Sequence, residues 1–122
     1  MTEITPEKEL EGLVSKGCFL RAAEMAESTG LDEDVLWHYR HKALWQMAAV
    51  NRNMPGTKKL AAAYGLNKAE LKDLLENLLK THNSENDKRD LEPCYDQHTG
   101  DYLTFEQWMA QLFKRWDKLT VQ

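Results

Sequence analysis

The chain predicts an all-α fold: a compact domain of five or six helices with one short β-hairpin before the C-terminal helix. Apolar residues recur at helical spacing along most of the 122 residues, and glycines stand where those runs break. One pattern also occurs twice, as Met25-Ala26-Glu27-Ser28-Thr29-Gly30-Leu31 and as Leu60-Ala61-Ala62-Ala63-Tyr64-Gly65-Leu66. In each copy an Ala sits four residues before a Gly and a Leu follows it. An apolar run resumes five residues later, with Leu36 and Tyr39 in the first copy and Leu71 and Leu74 in the second. Ala lets two helices approach, Gly takes the turn between them, and Leu fills the corner.

The elements follow in order. Thr5-Pro6-Glu7 starts a first helix, with Thr as N-cap and Pro in the first turn. Leu10, Leu13 and Val14 form its stripe and Gly17 ends it. A second helix from about Cys18 to Ser28 turns Phe19, Leu20, Ala23 and Ala26 inward and stops at Gly30. Asp32 caps a third that runs to about Asn51. That helix is apolar over most of its circumference, which predicts a buried spine. Asn53-Met54-Pro55-Gly56 is a turn cluster, and Thr57 caps a short helix from Lys58 to Tyr64. After Gly65, Asn67 caps a helix from Lys68 to about Thr81, striped by Leu71, Leu74, Leu75, Leu78 and Leu79.

Residues 82–91 are polar and aperiodic, a linker or mobile loop. Residues 92–104 form a hairpin that turns near Thr99-Gly100. Thr104 and Gln107 make a capping box for the last helix, 105–119. Phe105, Trp108, Met109, Leu112, Phe113, Trp116 and Leu119 give it a wide aromatic stripe.

Composition bounds the function. Charged residues are 30% and hydrophobic ones 42%, as in an ordinary globular domain, so the whole of 1–122 is read as one domain. No apolar stretch is long enough for a membrane span. The first residues are acidic and lack the apolar run of a signal peptide, so the expected location is the cytoplasm. Cys18 and Cys94 are then expected as reduced thiols.

The net charge of −4 conceals an uneven distribution. Residues 1–36 carry three basic and nine acidic side chains, residues 37–80 eight and three, and residues 81–122 five and eight. Only the middle third is basic, as expected of a surface for a polyanion unless the acidic ends pack beside it.

The second copy of the repeat resembles the helix-turn-helix of DNA-binding regulators, over residues 57–79; the first resembles it more weakly, over 22–40. With Gly65 as the turn glycine, Leu60, Ala61, Leu66, Leu71 and Leu74 fall at the family's packing positions. The resemblance implies that Asn67, Lys68, Ala69 and Lys72 face a major groove, where Asn and Lys read base edges and Ala touches a thymine methyl. Lys58, Lys59 and Arg52 would then sit on phosphates. Asp73 departs from the pattern, since it repels phosphate. The first copy departs further: its second helix opens with Asp32-Glu33-Asp34, against the electrostatics of DNA. That copy reads as scaffold or as a site for a basic partner.

Other constellations are weaker. His38 and His41 share a helix face with Asp34 one turn before, which is a two-ligand spacing that needs Cys18 or His82 from elsewhere. A solvated polar stripe is the plainer reading, and no metal or cofactor is expected. Tyr95 to Glu106 spans a calcium-loop length, but Tyr95, Gln97 and Thr99 stand where carboxylates belong. Asp96, His98 and Asp101 are explained by turn chemistry. No nucleophile elbow, phosphate loop or dinucleotide fingerprint appears, so an enzyme is not expected.

Two functions follow. One is a small helix-turn-helix DNA-binding protein of transcription regulation, acting as a dimer. The other is a non-enzymatic adaptor in protein-protein interaction, whose partner docks on Trp108, Met109, Leu112 and Trp116 or on the acidic N-terminal third.

Overall fold

Apolar spacing and glycine stops produce a mostly helical chain. The computed structural model describes residues 6–83 and 91–119. Among them are helices α1 (Pro6–Ser15), α2 (Phe19–Ser28), α3 (Glu33–Trp45), α4 (Met54–Ala63), α5 (Lys68–Asn83) and α6 (Phe105–Lys114). Strands β1 (Cys94–Asp96) and β2 (Asp101–Leu103) form the antiparallel hairpin ahead of α6. Thr5, the expected first cap, lies outside the described residues, as does most of the expected linker. No helix among the described residues is long and apolar enough to cross a membrane.

The chain divides into two compact units that part between Gln46 and Met47, where the sequence reading has one domain. In the first unit α2 packs against both α1 and α3. Its core is Leu10, Ala22 and Ala26, with Leu13, Val14, Met25, Leu31, Leu36 and Tyr39 packed against it. Ala22 and Ala26 stand one turn apart, so α2 offers a smooth face to its neighbours. Gln46 Nε2 donates to the Gly17 carbonyl at 2.7 Å, which ties the α1–α2 corner to the end of α3. Leu20, expected inside, is exposed.

The long third helix differs from its expectation in two ways. It ends at Trp45 and continues as a π-helical turn, Gln46–Val50. Its burial is also uneven: Ala43, Leu44, Trp45, Ala48 and Ala49 are buried, whereas Val35 and Val50 are exposed. The spine is thus the C-terminal half alone. The π turn closes where Asn53 N–H donates to the Met47 carbonyl at 3.1 Å, with Arg52 in the left-handed region at φ 50°.

In the second unit the expected turn cluster at 53–56 is instead the start of α4. Asn53 is the N-cap, and its side chain accepts from Gly56 N–H at 2.9 Å. Pro55 falls in the first turn, where a missing N–H costs nothing. Gly56 leaves room for the cap, because a Cβ there would stand 2.5 Å from the Asn53 amide. Thr57, expected as the cap, is fully buried, and its hydroxyl donates to the Asn53 carbonyl at 2.7 Å.

The hairpin pairs Cys94 with Leu103, Tyr95 with Tyr102 and Asp96 with Asp101. Asp96 holds the turn by accepting from Thr99 N–H at 2.9 Å. The capping box at Thr104 and Gln107 forms, with bonds of 2.9 and 3.2 Å. The last helix is shorter than expected: α6 stops at Lys114, and a 3₁₀ turn follows at Trp116–Lys118.

The repeated Ala-x-x-x-Gly-Leu pattern has a stereochemical origin. At α4, Gly65 N–H donates to the Ala62 carbonyl at 3.1 Å and Leu66 N–H to Ala61 at 2.9 Å. At α2, Gly30 bonds to Glu27 at 3.2 Å and Leu31 to Ala26 at 3.3 Å. These are the two bonds of the Schellman C-cap, with Gly in the left-handed position and Leu resting over the Ala. Gly65 has φ 75°, and a Cβ added there would meet nothing within 4 Å. Any cost of replacing it is therefore purely conformational. Gly65→Ala should lower the unfolding free energy by about 1 kcal/mol, and Gly65→Asn by less. Urea unfolding followed by circular dichroism checks both values.

Candidate nucleic-acid interface

The α4–α5 corner presents the start of α5 to solvent. Asn67 accepts from Glu70 N–H at 2.8 Å, and Glu70 accepts from Asn67 N–H at 3.1 Å. This reciprocal box satisfies orphan donors of the first turn and fixes the helix direction. Glu70 was not singled out from the sequence, although Asn-x-x-Glu is the box signature.

Beyond the box, Lys68, Ala69 and Lys72 are exposed, while Leu71 and Leu75 are fully buried. Lys68 and Lys72 are four residues apart and share one face of α5. Lys59 is exposed on α4. Asp73 and Glu76 are also exposed on α5, which dilutes the positive field. Lys72 and Glu76 line one side of a groove of about 400 Å³, facing Glu106, Met109 and Phe113 of α6.

Three of the expected DNA contacts have other work. Asn67 places its side-chain oxygen in the cap and is not free to read a base edge with it. Lys58 Nζ donates to the Trp116 carbonyl at 2.6 Å and the Leu119 carbonyl at 3.3 Å, and lies 5.3 Å from the Trp116 ring centre. It binds the end of the 3₁₀ turn, where the Trp116 carbonyl also accepts from Leu119 N–H at 3.3 Å and the negative end of the turn attracts a cation. Arg52 donates to the carbonyls of Ala49 at 2.8 Å, Leu103 at 3.1 Å and Glu92 at 3.1 Å. Its guanidinium also lies over Phe105 at 5.4 Å. Both cations are therefore internal clamps of the second unit instead of phosphate contacts. A spacing argument cannot see this, because the carbonyls they meet are more than forty positions away in the chain for most of these bonds.

The aromatic stripe of α6 is interior. Trp108, Met109 and Leu112 are buried, and Phe105 stacks on Trp108 with ring centres 5.9 Å apart. Trp116 is half-buried beneath Lys58 and stacks on Phe113 at 5.8 Å. The docking face expected on Trp108, Met109, Leu112 and Trp116 is thus corrected to core packing: a stripe this wide on a short helix must be covered to be stable. The exposed aromatics are Tyr95 and Tyr102, an edge-to-face cross-strand pair 5.6 Å apart on the hairpin. Alternation along such short strands is too brief to reveal which face is wet.

His38 and His41 each lie against an aromatic ring, Tyr39 at 5.3 Å and Trp37 at 5.8 Å. Among the described residues no group of three or more His, Cys, Asp or Glu is placed to hold a metal. Burial, then the charge of His38, push the His41 pKa below its usual 6.5. Cys18 and Cys94 are free, half-buried thiols.

Comparison of the chain with protein-family models, curated proteins and solved structures gives no match.

Two outcomes follow from these placements. Arg52→Ala should reduce stability by about 2 kcal/mol, because charge-assisted bonds to three carbonyls are lost; equilibrium urea unfolding measures it. His41 resists protonation in the folded chain, so below pH 6.5 the unfolded chain binds the extra proton and stability falls as pH drops. His41→Gln should flatten that acid-side loss in thermal melts taken from neutral pH downward.

Proposed function

We propose that the second unit is a helix-turn-helix-type module that binds duplex DNA through the first two turns of α5. The protein would serve as a small DNA-binding regulator. One observation carries the reading: a capped helix start projects Lys68, Ala69 and Lys72 to solvent while Leu71 and Leu75 anchor the opposite face. This is how a reading helix is held, rigid at its N-terminal end and polar on the side that enters a groove. Lys59 adds a phosphate contact from the preceding helix.

The role of Arg52 and Lys58 in this reading is indirect. They brace the hairpin and the C-terminal turn of the same unit and do not touch the nucleic acid. Of the five cations expected at DNA, Lys59, Lys68 and Lys72 are then left to neutralise phosphates, so affinity for a single site is modest. A module of this size buries little DNA surface, and specific binding calls for two copies on two half-sites.

Fluorescence anisotropy of a labelled random duplex tests the reading. Binding should weaken with salt, with a log–log slope of about −3, one unit for each lysine. Lys68→Gln should reduce that slope by about one unit. Lys68→Glu with Lys72→Glu should abolish binding while leaving helical content intact. Unchanged affinity in that double variant, or no binding of the wild-type chain at low salt, would falsify the assignment.

A further inference from the structure

The α2–α3 corner opens onto a groove of about 450 Å³ in the first unit. Leu10, Leu31, Val35 and Tyr39 supply its apolar lining, and Glu11 and Asp32 its charged groups. Val35 is 39% exposed, an apolar side chain left in water directly after three exposed acids, Asp32, Glu33 and Asp34. Two other grooves carry both signs of charge: Lys8, Lys16 and Arg21 stand with Glu9 and Glu24 in one, and Lys72 with Glu76 and Glu106 in another. The groove at the α2–α3 corner has no cation in its lining.

We propose that this groove docks a basic amphipathic helix from a partner protein. A ligand that complements it must bring apolar groups for Leu31, Val35 and Tyr39 and positive charge for Glu11 and Asp32. A helix with Leu at i, i+3, i+4 and i+7, flanked by Lys or Arg, has that arrangement on one side. The single sign of the rim steers such a helix and repels acidic competitors. It also repels DNA, so the proposal does not depend on the DNA reading. A second copy of this chain fits less well. Its exposed Lys68 and Lys72 share α5 with exposed Asp73 and Glu76, and Lys58 and Arg52 are held internally.

The test titrates the full chain into a labelled helical peptide of Leu and Lys with that spacing, and into a matched peptide with Glu in place of Lys. The wild-type chain should bind only the basic peptide. Glu11→Gln with Asp32→Asn should weaken binding at least tenfold, and Val35→Lys should do the same. Asp32 makes no cap hydrogen bond, so Asn removes none, and circular dichroism confirms that each variant is folded. Glu9→Gln with Glu24→Gln removes the same charge from another groove and should leave binding intact. Equal losses in the two double variants would reduce the effect to net charge and overturn the site. Failure of the wild-type chain to bind the basic peptide would overturn it too. Sedimentation of the free protein covers the remaining occupant: a dimer that Val35→Lys splits assigns the groove to a second copy and sets the proposal aside.

Discussion

A helix can end in water in many ways, but it can turn sharply into another helix only if its last carbonyls find partners within the turn. Three helices here solve this alike. At Gly17, Gly30 and Gly65 the backbone enters the left-handed region, with φ between 68° and 75°, and two amide groups fold back onto the helix end. The apolar residue that follows is thereby carried over the last turn. Leu31 and Leu66 arrive where Ala26 and Ala61 leave space, and both alanines are fully buried. Everything downstream depends on this geometry: it aims α3 and α5, and so determines which of their residues face water.

The cations divide by the same logic. A lysine or arginine near a helix end or a hairpin meets carbonyls with a lone pair to spare, and a charge-assisted bond there outweighs exposure to solvent. Arg52 and Lys58 stand at such places and are drawn in. Arg52 even occupies the left-handed region, a cost of about 1–2 kcal/mol for a side chain with Cβ, which its three carbonyl bonds and its contact with Phe105 offset. Lys59, Lys68 and Lys72 are exposed at the surface. The basic character of the middle third is therefore weaker at the surface than its composition implies.

The two copies of the corner differ in chemistry while sharing a backbone solution. Behind Gly65 the next helix opens with Asn67 and Lys68; behind Gly30 it opens with Asp32, Glu33 and Asp34. Asp32 sits at the N-cap position yet makes no cap hydrogen bond, in contrast to Asn67. Acids suit a helix N-terminus through the macrodipole, so this first turn is stable without a polyanion or a cap. The same corner can thus carry opposite surface fields, and nothing in the backbone obliges the copies to share a ligand.

Local chemistry was legible in the sequence wherever it acts within a few residues. The glycine corners depend on backbone amides folding back in the left-handed region, and the Thr104–Gln107 box, the Asn67 cap and the hairpin turn on side chains reaching nearby backbone; spacing alone places all of them. Asn53-Met54-Pro55-Gly56 shows the limit of that reasoning: turn and helix start use the same residues, and the backbone bond from Thr57 N–H to the Asn53 carbonyl at 2.9 Å makes this one a helix start. Burial followed the stripe of α6, but whether that stripe met the core or a partner required the fold. The two units, the π turn after Trp45, the inward draw of Arg52 and Lys58, and the acidic groove at Val35 were decided by tertiary structure. Each depends on groups that are distant in the chain or on how neighbouring helices leave space, and a periodic pattern carries no record of either.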